Sequence, residues 1–478
     1  MKKTVTFNPF ARVEGDMKIE LEIDENCILK AHTSGTLYRG IEEILRNRSP
    51  LDAIVIACRV CGQCGASHSI AASRALAKIW KIIPPANGII CSNIILATEI
   101  ILSHITHFYL SFAVDFAGPP YDLSLSGRFA SLKGASFKEA ISARSRFLAL
   151  LGIFAGKWPN TLATLPGGHT KTVNNAEITK AVGVLAEFKN FLKKNVFGCS
   201  PEEWLDVRNL AELDQWLKIK SHAESDIGVF IRLAKKAGLQ GLGKGPVRFL
   251  SGGGFPSHEG KDPVFKSGYF DGAFHELDIG GIIEHITHSW YESVNEELSP
   301  TDSDVTINSS KKGAYSWCKA PRYKGKSVEV GPLARMVING DPLALDLVGH
   351  SGTDAFGRVL MRMHEIAKLT LQLNAWICAI DPNEPFFVQQ NPRDGEACAF
   401  VPAPRGILGH WVNIKDGVIK NYQIITPTGW NLSPRDSKDL PGPLEEALVG
   451  IKVDDNVHSK NIAHVVRSFD PCLFCSVH

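Results

Sequence analysis

Apolar and polar residues alternate near the start of the chain in the pattern that is typical of β-strands. The segment Met17–Asp24 reads M-K-I-E-L-E-I-D, which places its apolar and charged side chains on opposite faces. A polar turn at 24–26 leads into a second predicted strand at 27–33. The pattern predicts a hairpin with one face buried in the protein.

After Pro50 the apolar residues recur with the spacing of an α-helix. A helix predicted at 67–83 follows a pair of cysteines and ends at two prolines, which cannot continue it. Asn174 and the S-P-E-E segment at 200–203 are typical of helix starts. Further helices are predicted at 89–117, 136–156, 175–196, 203–218, 273–297 and 355–380, and loops at 251–254 and 321–325.

The pattern returns to that of strands near the end of the chain. Strands are predicted at 397–402, 408–414 and 418–427. Asp416-Gly417 has the composition of a hairpin turn. The predicted class is therefore α+β, as a single domain over 1–478. In it a helix-rich core at 51–390 connects a strand-rich segment at 1–50 to a strand-rich part at 391–478, and the two ends meet.

The stretch 89–112 is the most apolar part of the chain. A helix that spans a membrane needs about 20 mostly apolar residues, and Glu99, His104 and His107 interrupt this stretch. We therefore predict a helix in the protein core. The start of the chain lacks the apolar segment of a secretory signal, so we expect no signal peptide of this chain's own.

Composition and charge narrow the class of protein. The 478 residues are 44% hydrophobic and 21% charged, which is typical of a folded globular protein. The formal net charge of +2 gives no basic bias, so we expect no nucleic acid partner. The 11 cysteines are scattered, whereas a disulfide-stabilised protein would be shorter and richer in cysteine. We expect reduced cysteines, most of them buried as small apolar residues.

Two C-x-x-C pairs carry the candidate chemistry. Cys61 and Cys64 lie at the start of a predicted helix, and Cys472 and Cys475 lie near the end of the sequence. Four thiols in two closely spaced pairs can bind one soft metal ion, and a helix start favours thiolates. The spacing alone leaves zinc, an iron–sulfur cluster, a redox disulfide and a nickel–iron centre open, although zinc ribbons separate their pairs by only about 15–20 residues. Cys58 is a candidate additional ligand.

The residues around the thiols narrow these alternatives. Six segments follow one another: R-V-E-G at 12–15, Y-R-G-I-E at 38–42, R-V-C-G-Q-C-G-A-S-H-S at 59–69, P-R-G and H-W within 404–411, N-Y-Q and P-T-G-W-N within 421–431, and D-P-C-L-F-C-S-V-H at 470–478. Together they resemble the motifs of nickel–iron hydrogenase large subunits, and the resemblance covers the chain from end to end. Each segment alone is weak evidence, whereas all six in this order are strong evidence.

The resemblance implies a centre in which all four thiolates bind nickel. Cys64 and Cys475 would also bridge to an iron, whereas Cys61 and Cys472 would bind nickel alone. In this family the iron carries carbon monoxide and two cyanides. A metal with an open position can polarise H2, and a nearby base accepts the proton of the heterolytic cleavage. The two strand-rich ends would then meet at a buried metal site.

The resemblance also gives roles to residues beside the metals. Arg405 would lie over the open face, where its permanent charge can hold a cyanide nitrogen or assist proton removal, and Pro404 would line the same place. Thr428 would donate a hydrogen bond to the other cyanide. Asp470 would pair with Arg405 and fix it.

A proton route and a supporting histidine are implied in the same way. Glu14 would exchange protons with the terminal thiolate of Cys472, because a carboxyl group buried near a metal can keep its proton near neutral pH. His68 would form a hydrogen bond with Cys64 and so support the ligand set.

The resemblance further implies a second metal site at the end of the sequence. Glu42, a backbone carbonyl near Ile424 and His478 would bind Mg²⁺ or a similar cation, for which oxygen ligands and water are suited. Family members are made with a C-terminal extension that a protease removes after nickel insertion. A sequence that ends at His478 is expected to be the processed form, which requires that protease and nickel-insertion proteins as partners.

Departures from the family pattern concern the surroundings of the metals. Ser103 takes the place of an aspartate that many respiratory members have near the arginine. Pro402 takes the place of a glutamate, and Asp16 that of a histidine. Gln63 is an uncommon residue between the first two cysteines. These differences bear on the subfamily and on gas tolerance rather than on the metal ligands.

The function that the resemblance implies is the reversible cleavage of H2 into protons and electrons, with H2 uptake as the expected direction. No third group of cysteines has the spacing of an iron–sulfur cluster, so the electrons require a separate small subunit that carries such clusters. We expect heterodimers that assemble into higher oligomers. The expected location is the cytoplasm, or a membrane to which the partner attaches the complex. Export of both chains by a signal on the partner is the alternative. The alternatives are an H2 sensor with the same site, an electron-transfer subunit related to respiratory complex I, and a structural zinc protein.

Overall fold

Antiparallel strands lie towards both ends of the chain and in two internal stretches, at 164–169 and 249–323, and most of the rest is helical. The structure is a computed structural model in which residues 2–259, 262–453 and 460–478 are described. Its strands are β1 (Lys3–Phe7), β2 (Met17–Asp24), β3 (Cys27–Gly35), β4 (Thr164–Leu165), β5 (Gly168–His169), β6 (Phe249–Gly254), β7 (Phe265–Phe270), β8 (Phe274–His275), β9 (Ile282–His285), β10 (Tyr291–Glu292), β11 (Glu297–Leu298), β12 (Thr306–Ile307), β13 (Ala320–Tyr323), β14 (Gly395–Ala403), β15 (Gly406–Lys415) and β16 (Val418–Ile425).

The helices range from single turns to the nearly seven turns of a 24-residue helix. They are α1 (Ile41–Leu45), α2 (Asp52–Ala57), α3 (Gly65–Trp80), α4 (Ala86–Thr106), α5 (Leu123–Ser126), α6 (Ala135–Phe147), α7 (Ala149–Ala155), α8 (Asn175–Phe191), α9 (Pro201–Leu205), α10 (Leu210–Trp216), α11 (Lys220–Ala223), α12 (Asp226–Lys236), α13 (Pro332–Ile338), α14 (Pro342–Ser351), α15 (Ala355–Cys378), α16 (Pro427–Asn431), α17 (Pro443–Leu448), α18 (Lys460–Ser468) and α19 (Leu473–Ser476). The predicted α+β class is confirmed.

The N-terminal hairpin is present as predicted and is part of a sheet of three strands. Its strands β1, β2 and β3 are antiparallel neighbours in that order. The alternating apolar residues of β2 are buried: Met17, Ile19, Leu21 and Ile23. They belong to a core cluster that also contains Leu444 of α17 and Val465 of α18. Helices from the last part of the chain therefore cover the buried face of the first sheet.

The C-terminal strands also form where the sequence predicts them. β14, β15 and β16 are antiparallel neighbours. Between the last two, Asp416 and Gly417 have φ angles of 56° and 73°, as the central residues of a type I′ hairpin turn require. Helix α3 packs against β14 and β15. This sheet therefore supports the helix that follows the first cysteine pair.

The most apolar segment is a buried helix, as predicted. Among the described residues, one helical stretch, Ala86–Phe116, is long and apolar enough to span a membrane, and 94% of its most apolar part is buried inside the protein. It consists of α4, a π-helical segment at His107–Phe112 and a 3-10 segment at Ala113–Phe116. Helix α15 packs along α4, so the two long helices form the centre of the largest apolar core.

A buried ion-pair network joins three core helices to the C-terminal sheet. Glu365 of α15 accepts two hydrogen bonds of 2.7 Å from Arg335 of α13 and lies 2.7 Å from Nε2 of His104 in α4. Burial opposes the charge of Glu365, but Arg335 and His104 outweigh it and lower the pKa of Glu365 to about 2. Arg335 also donates to the carbonyls of Ala403 and Pro404, at 2.8 and 3.3 Å. The network thereby fixes the turn between β14 and β15.

The helix predicted at 273–297 is wrong. This stretch contains β8, β9, β10 and β11, with a 3-10 turn at Ile279–Gly281. Gly280 and Gly281 weaken a helix at this point, and the carboxylate of Asp278 accepts the N–H of Gly280 in the turn. Strand β9 pairs with β11 and β13 instead. Hydrogen bonds to strands that are distant in the sequence therefore prevail over the helical spacing.

Both predicted loops contain strand residues. The stretch 251–254 is part of β6, which pairs with β7. Its glycines allow a close approach to β14, since a Cβ on Gly252 would lie only 2.6 Å from the Cβ of Phe400. The stretch 321–325 begins within β13 and turns at its end. The middle part of the chain is therefore less uniformly helical than predicted.

Polar caps decide where several helices begin. Asn174 caps α8 in a reciprocal arrangement with Glu177, and the Ser200 side chain caps α9, as predicted. The single helix predicted at 203–218 is wrong, because α9 ends at Leu205 and the Asn209 side chain caps a new helix, α10. The other long helices form at the predicted places with interruptions: 136–156 is divided into α6 and α7, and α8 continues as a π-helical segment to Phe197.

We expect Arg335→Met to lower the free energy of unfolding by about 3–5 kcal/mol, because the Glu365 carboxylate would stay buried without its main partner. The thermal unfolding midpoint of the purified protein measures this effect. Lys326→Met is the matched control, since it removes an exposed ion pair of 3.2 Å with Asp271 and should cost less than about 1 kcal/mol. Equal midpoints for the two variants would contradict the importance of the buried network.

Candidate metal centre

The cysteines of the two C-x-x-C pairs come together in one buried cluster. The Sγ atoms of Cys61 and Cys472 are 3.5 Å apart, those of Cys64 and Cys475 are 3.2 Å apart, and those of Cys472 and Cys475 are 2.9 Å apart. A disulfide would bring two sulfur atoms to about 2.05 Å. A soft ion that lies about 2.3 Å from each thiolate suits the longer separations seen here. The cluster therefore has the donor set of a single metal centre.

Backbone hydrogen bonds hold the N-terminal segment beside the second cysteine pair. Glu14 forms a parallel bridge with Cys472. The Glu14 N–H donates to the Pro471 carbonyl at 3.1 Å, and the Glu14 carbonyl accepts the N–H of Leu473 at 2.7 Å. The two ends of the chain are therefore joined directly at the cluster, as the sequence predicts.

The first cysteine pair lies at the start of α3, also as predicted. Cys64 is the N-terminal cap residue of this helix. The Glu99 carboxylate of α4 accepts the N–H groups of Ala66 and Ser67, each at 2.8 Å. Burial raises the pKa of Glu99 to about 7 in spite of these hydrogen bonds. Glu99, which the sequence marks only as a break in an apolar helix, thus fixes the turn that carries Cys64.

The thiols shift one another's pKa values in opposite directions. Hydrogen bonds from neighbouring thiols, above all from Cys472, hold the pKa of Cys61 well below the ordinary thiol value. Burial, followed by the neighbouring thiols, raises the pKa of Cys475 well above it. Thiolates this close repel one another, so full deprotonation of the cluster requires a cation among the sulfur atoms.

Arg405 is the positive charge beside this cluster. It is 4% exposed and donates to Asp470 twice, from Nε to the carbonyl at 2.7 Å and from Nη2 to the carboxylate at 3.1 Å. Burial opposes its charge, but Asp470 and then the cysteines outweigh it and raise the pKa of Arg405. Its Nη1 atom is buried and has no hydrogen-bond partner in the described part of the chain. The predicted pair with Asp470 is present, and one donor remains for another group.

Gln63 connects Arg405 to Glu14, a contact that the sequence does not predict. Its Oε1 accepts Nη2 of Arg405 at 2.8 Å, and its Nε2 donates to Oε2 of Glu14 at 2.8 Å. Burial, followed by the negative charge of Cys61, raises the pKa of Glu14. The one sequence signal for this contact is that Gln63 is unusual within the first cysteine motif.

These groups line a cleft of about 110 Å³. Glu14, Gln63, Arg405 and Asp470 form one part of it, and Glu14 and Gln63 are partly exposed. His107, the first residue of the π-helical segment after α4, lines another part. The cleft therefore gives water access to the Glu14 carboxylate, which is also close enough to Cys61 to be affected by its charge.

His68 and Thr428 lie beside the cysteines, and each has a defined hydrogen bond there. Nδ1 of His68 is 3.1 Å from Nε2 of His410, so this nitrogen does not bond to Cys64. The bond that joins His68 to Cys64 is the helical one between backbone atoms, at 3.2 Å. Thr428 Oγ1 accepts the N–H of Cys472 at 3.2 Å. Its hydroxyl hydrogen can still donate to a group at the cluster.

A second polar pocket surrounds the last residue. Glu42 Oε1 accepts the N–H of Ile424 at 2.8 Å and lies 3.3 Å from Nε2 of His478. Lys319 Nζ lies 3.1 Å from Glu42 and 3.5 Å from Glu284. Burial would raise the pKa of Glu42, but Lys319 and His478 outweigh it and lower the pKa to about 2. The predicted residues meet, with Ile424 joined to Glu42 through its N–H, and Lys319 and Glu284 are additional members of the pocket.

The remaining sequence candidates lie apart from the sulfur cluster. The Cys58 thiol donates to the Val55 carbonyl, and Cys58 is not among the cysteines that pack together. Ser103 has a buried hydroxyl with no hydrogen-bond partner among the described residues. Pro402 is buried in β14, and Asp16 is exposed. Asp470 and Gln63, rather than a residue at position 103, therefore hold Arg405.

The residues present fit a soft metal that brings additional ligands with it. Four thiolates would satisfy the metal itself. They would not satisfy the buried Nη1 of Arg405, which needs an acceptor close to the sulfur atoms. A structural zinc ion bound by four sulfurs would bring no ligand of its own to accept this hydrogen bond.

Comparison with known proteins identifies the family. The family model for nickel-dependent hydrogenases matches residues 39–125 and 132–478. The periplasmic NiFeSe hydrogenase large subunit of Desulfomicrobium baculatum is 30% identical over 517 residues, which cover 100% of this chain and 95% of that protein. The hydrogenase-2 large chain of Escherichia coli K12 is 32% identical over 553 residues, which cover 100% of this chain and 97% of that one.

A solved structure supports the same assignment. The reduced Ni-Fe-Se hydrogenase of Desulfovibrio vulgaris Hildenborough matches with a TM-score of 0.87 at 30% identity, and 100% of each chain is covered. Although two of these relatives are named for selenium, all four residues of the two C-x-x-C pairs in this chain are cysteines. The chain therefore belongs to the nickel-dependent hydrogenase family, as a large subunit that catalyses the cleavage or formation of H2.

Proposed function

We propose that the cysteine cluster holds a nickel–iron centre, with all four thiolates on nickel and with Cys64 and Cys475 also on an iron that carries carbon monoxide and two cyanides. The buried Nη1 of Arg405, unpaired among the described residues, is the observation that carries this proposal. A small acceptor fixed beside the sulfur atoms would satisfy it. When bound, the centre supplies a Lewis acid that polarises H2 and accepts its electrons.

The residues around the cluster would orient this group and neutralise its charge. Arg405 brings a permanent positive charge, and Asp470 holds it with two hydrogen bonds. Pro404 lies in the same turn, and Arg335 holds its carbonyl. The Thr428 hydroxyl, already fixed by the N–H of Cys472, can donate to a second acceptor. The site is thereby shaped before any ligand binds.

Glu14 would carry protons between the cluster and the solvent. Its backbone is bridged to that of Cys472, and its carboxyl group lines the cleft of about 110 Å³. Gln63 fixes the orientation of the carboxylate through its bond to Oε2. A carboxyl group in this position can accept a proton on the buried side and release it to water.

We assign Mg²⁺ or a similar cation to the pocket of Glu42, Ile424 and His478. The buried Glu284 also lines this pocket; its Oε2 lies 3.5 Å from Nζ of Lys319 and has no closer hydrogen bond in the described part of the chain, so a cation or its bound water can bond to it. His478 Nδ1 also lies 2.7 Å from the carbonyl of Cys475, so this pocket and the cysteine cluster share the last residues. Nickel-insertion proteins and a protease that removes a C-terminal extension would complete both sites.

An iron–sulfur small subunit is the proposed electron partner. The relatives described above are named large subunits or large chains, and no third cysteine group in this sequence has iron–sulfur spacing. We propose heterodimers that assemble further and act mainly in H2 uptake. They would act in the cytoplasm or at a membrane reached through the partner, or be exported by a signal on the partner.

Metal analysis combined with infrared spectroscopy of the purified complex tests the proposed centre. We expect about one nickel per large subunit, together with infrared bands of metal-bound carbon monoxide and cyanide. Zinc without these bands would contradict the proposal. A complex that shows the bands but turns over H2 only very slowly would be an H2 sensor rather than an uptake enzyme.

We expect Glu14→Gln to lower H/D exchange and H2 oxidation by about 100-fold or more, because glutamine keeps the shape of the side chain and cannot carry the proton. Nickel content and the infrared bands should remain those of the unmodified complex. Glu22→Gln is the matched control, since Glu22 is exposed on β2. Unmodified exchange rates in Glu14→Gln would rule out this proton route.

We expect Gln63→Ala to slow H/D exchange by about tenfold. Of the two hydrogen bonds that it removes, the one to Glu14 acts on proton transfer, and the loss of about 1.5 kcal/mol, the lower end for a hydrogen bond to a charged group, corresponds to about a factor of ten. Gln240→Ala, at an exposed position, is the control. The role assigned to Gln63 is wrong if exchange in Gln63→Ala equals that of the control at the same nickel content.

A further inference from the structure

A second cluster of metal-binding side chains lies in other elements of the fold. A sulfur of Cys199, a nitrogen of His222 and a carboxylate oxygen of Glu203 all lie within 4.8 Å of one another. Cys199 and His222 are buried, at 3% exposure each, whereas the Glu203 side chain is 56% exposed. The cluster therefore has a buried sulfur–nitrogen side and a side that is open to water.

The histidine of this cluster is oriented as metal-binding histidines are. Nδ1 of His222 lies 3.1 Å from the backbone carbonyl of Trp216. A carbonyl can only accept, so Nδ1 carries the hydrogen and Nε2 of the neutral ring presents its lone pair. The ring also stacks on the Trp216 indole at 4.7 Å and 19°. Nε2 lies 3.5 Å from Oε1 of Glu203, so this nitrogen is on the side of the ring that is next to the carboxylate.

The local backbone brings the cysteine to this histidine. Gly198 has φ +73°, and a Cβ there would lie 2.2 Å from the Ser221 carbonyl oxygen, so only glycine permits this approach. The next residue, Cys199, is thereby placed beside His222. Ser200 then caps α9, and Glu203 follows in its first turn.

We propose that Cys199, Glu203 and His222 bind one Zn²⁺ ion, with water from the open side as the fourth ligand. Thiolate, imidazole and carboxylate are zinc ligands, whereas Mg²⁺ and Ca²⁺ require oxygen ligands. An ion pair of 3.5 Å between His222 and Glu203 holds two of the residues in place, and a hydrogen bond with the Trp216 side chain holds the Cys199 thiol, so the three ligand atoms are positioned within 4.8 Å of one another. The ion would join the segment at 197–203 to the segment at 216–222 and stabilise this part of the helical core.

X-ray absorption at the zinc edge and metal analysis of the nickel-loaded complex test this site. Loading with nickel matters because an empty cysteine cluster would itself bind zinc through four sulfurs. We expect about one zinc per large subunit after incubation with Zn²⁺ and desalting. We expect one sulfur at about 2.3 Å and nitrogen or oxygen ligands at about 2.0–2.2 Å.

Two variants and one control assign the ion to these residues. Cys199→Ser should lose the sulfur signal, and His222→Gln should lose most of the zinc, each with unchanged nickel and iron, which shows that the complex still folds. Cys378→Ser, which removes an exposed cysteine elsewhere, should keep the zinc. Absence of zinc from the unmodified complex, zinc with four sulfurs, or equal zinc in Cys199→Ser, His222→Gln and Cys378→Ser would overturn the proposal.

Discussion

The contact between the two ends of the chain at one sulfur cluster is the constraint on which the rest of the structure depends. Sulfur atoms of Cys64 and Cys475 lie 3.2 Å apart although almost the whole sequence separates them. Closing so long a loop costs conformational entropy. The N-terminal sheet packed on α17 and α18, and the bridge between Glu14 and Cys472, hold the ends together. A metal bound by both pairs would add its binding energy to that of folding.

Charge compensation is the second requirement of such a cluster. Buried thiolates repel one another, and Arg405 supplies a positive charge that cannot be lost by deprotonation. Arg405 is itself fixed by Asp470, and its turn is fixed by Arg335, which is paired with Glu365 in the helical core. The metal centre and the largest core are thus mechanically connected through buried ion pairs. A substitution in the core network should therefore shift Arg405 relative to the cysteines, even where the substituted residue does not contact the metal.

Much of this arrangement could be predicted from the sequence, because its signals are local. Alternation in β2, the hairpin turn at Asp416-Gly417 and the helix start at Cys64 depend on neighbouring residues, and all three are present. The cysteine motifs and Arg405 came from a resemblance carried by short segments. The helix predicted at 273–297 does not form, because β9 pairs with β11 and β13 in spite of the helical spacing of its apolar residues. Gln63 and Glu99 have their roles through contacts across the fold, which no local pattern encodes.

Nickel-edge X-ray absorption of the purified complex shows whether thiolates from both ends of the chain bind one nickel. We expect a first shell of about four sulfur atoms at about 2.3 Å, and a shell reduced by one sulfur in Cys475→Ser. A nickel bound mainly by nitrogen and oxygen, or a sulfur shell that Cys475→Ser leaves unchanged, would contradict it.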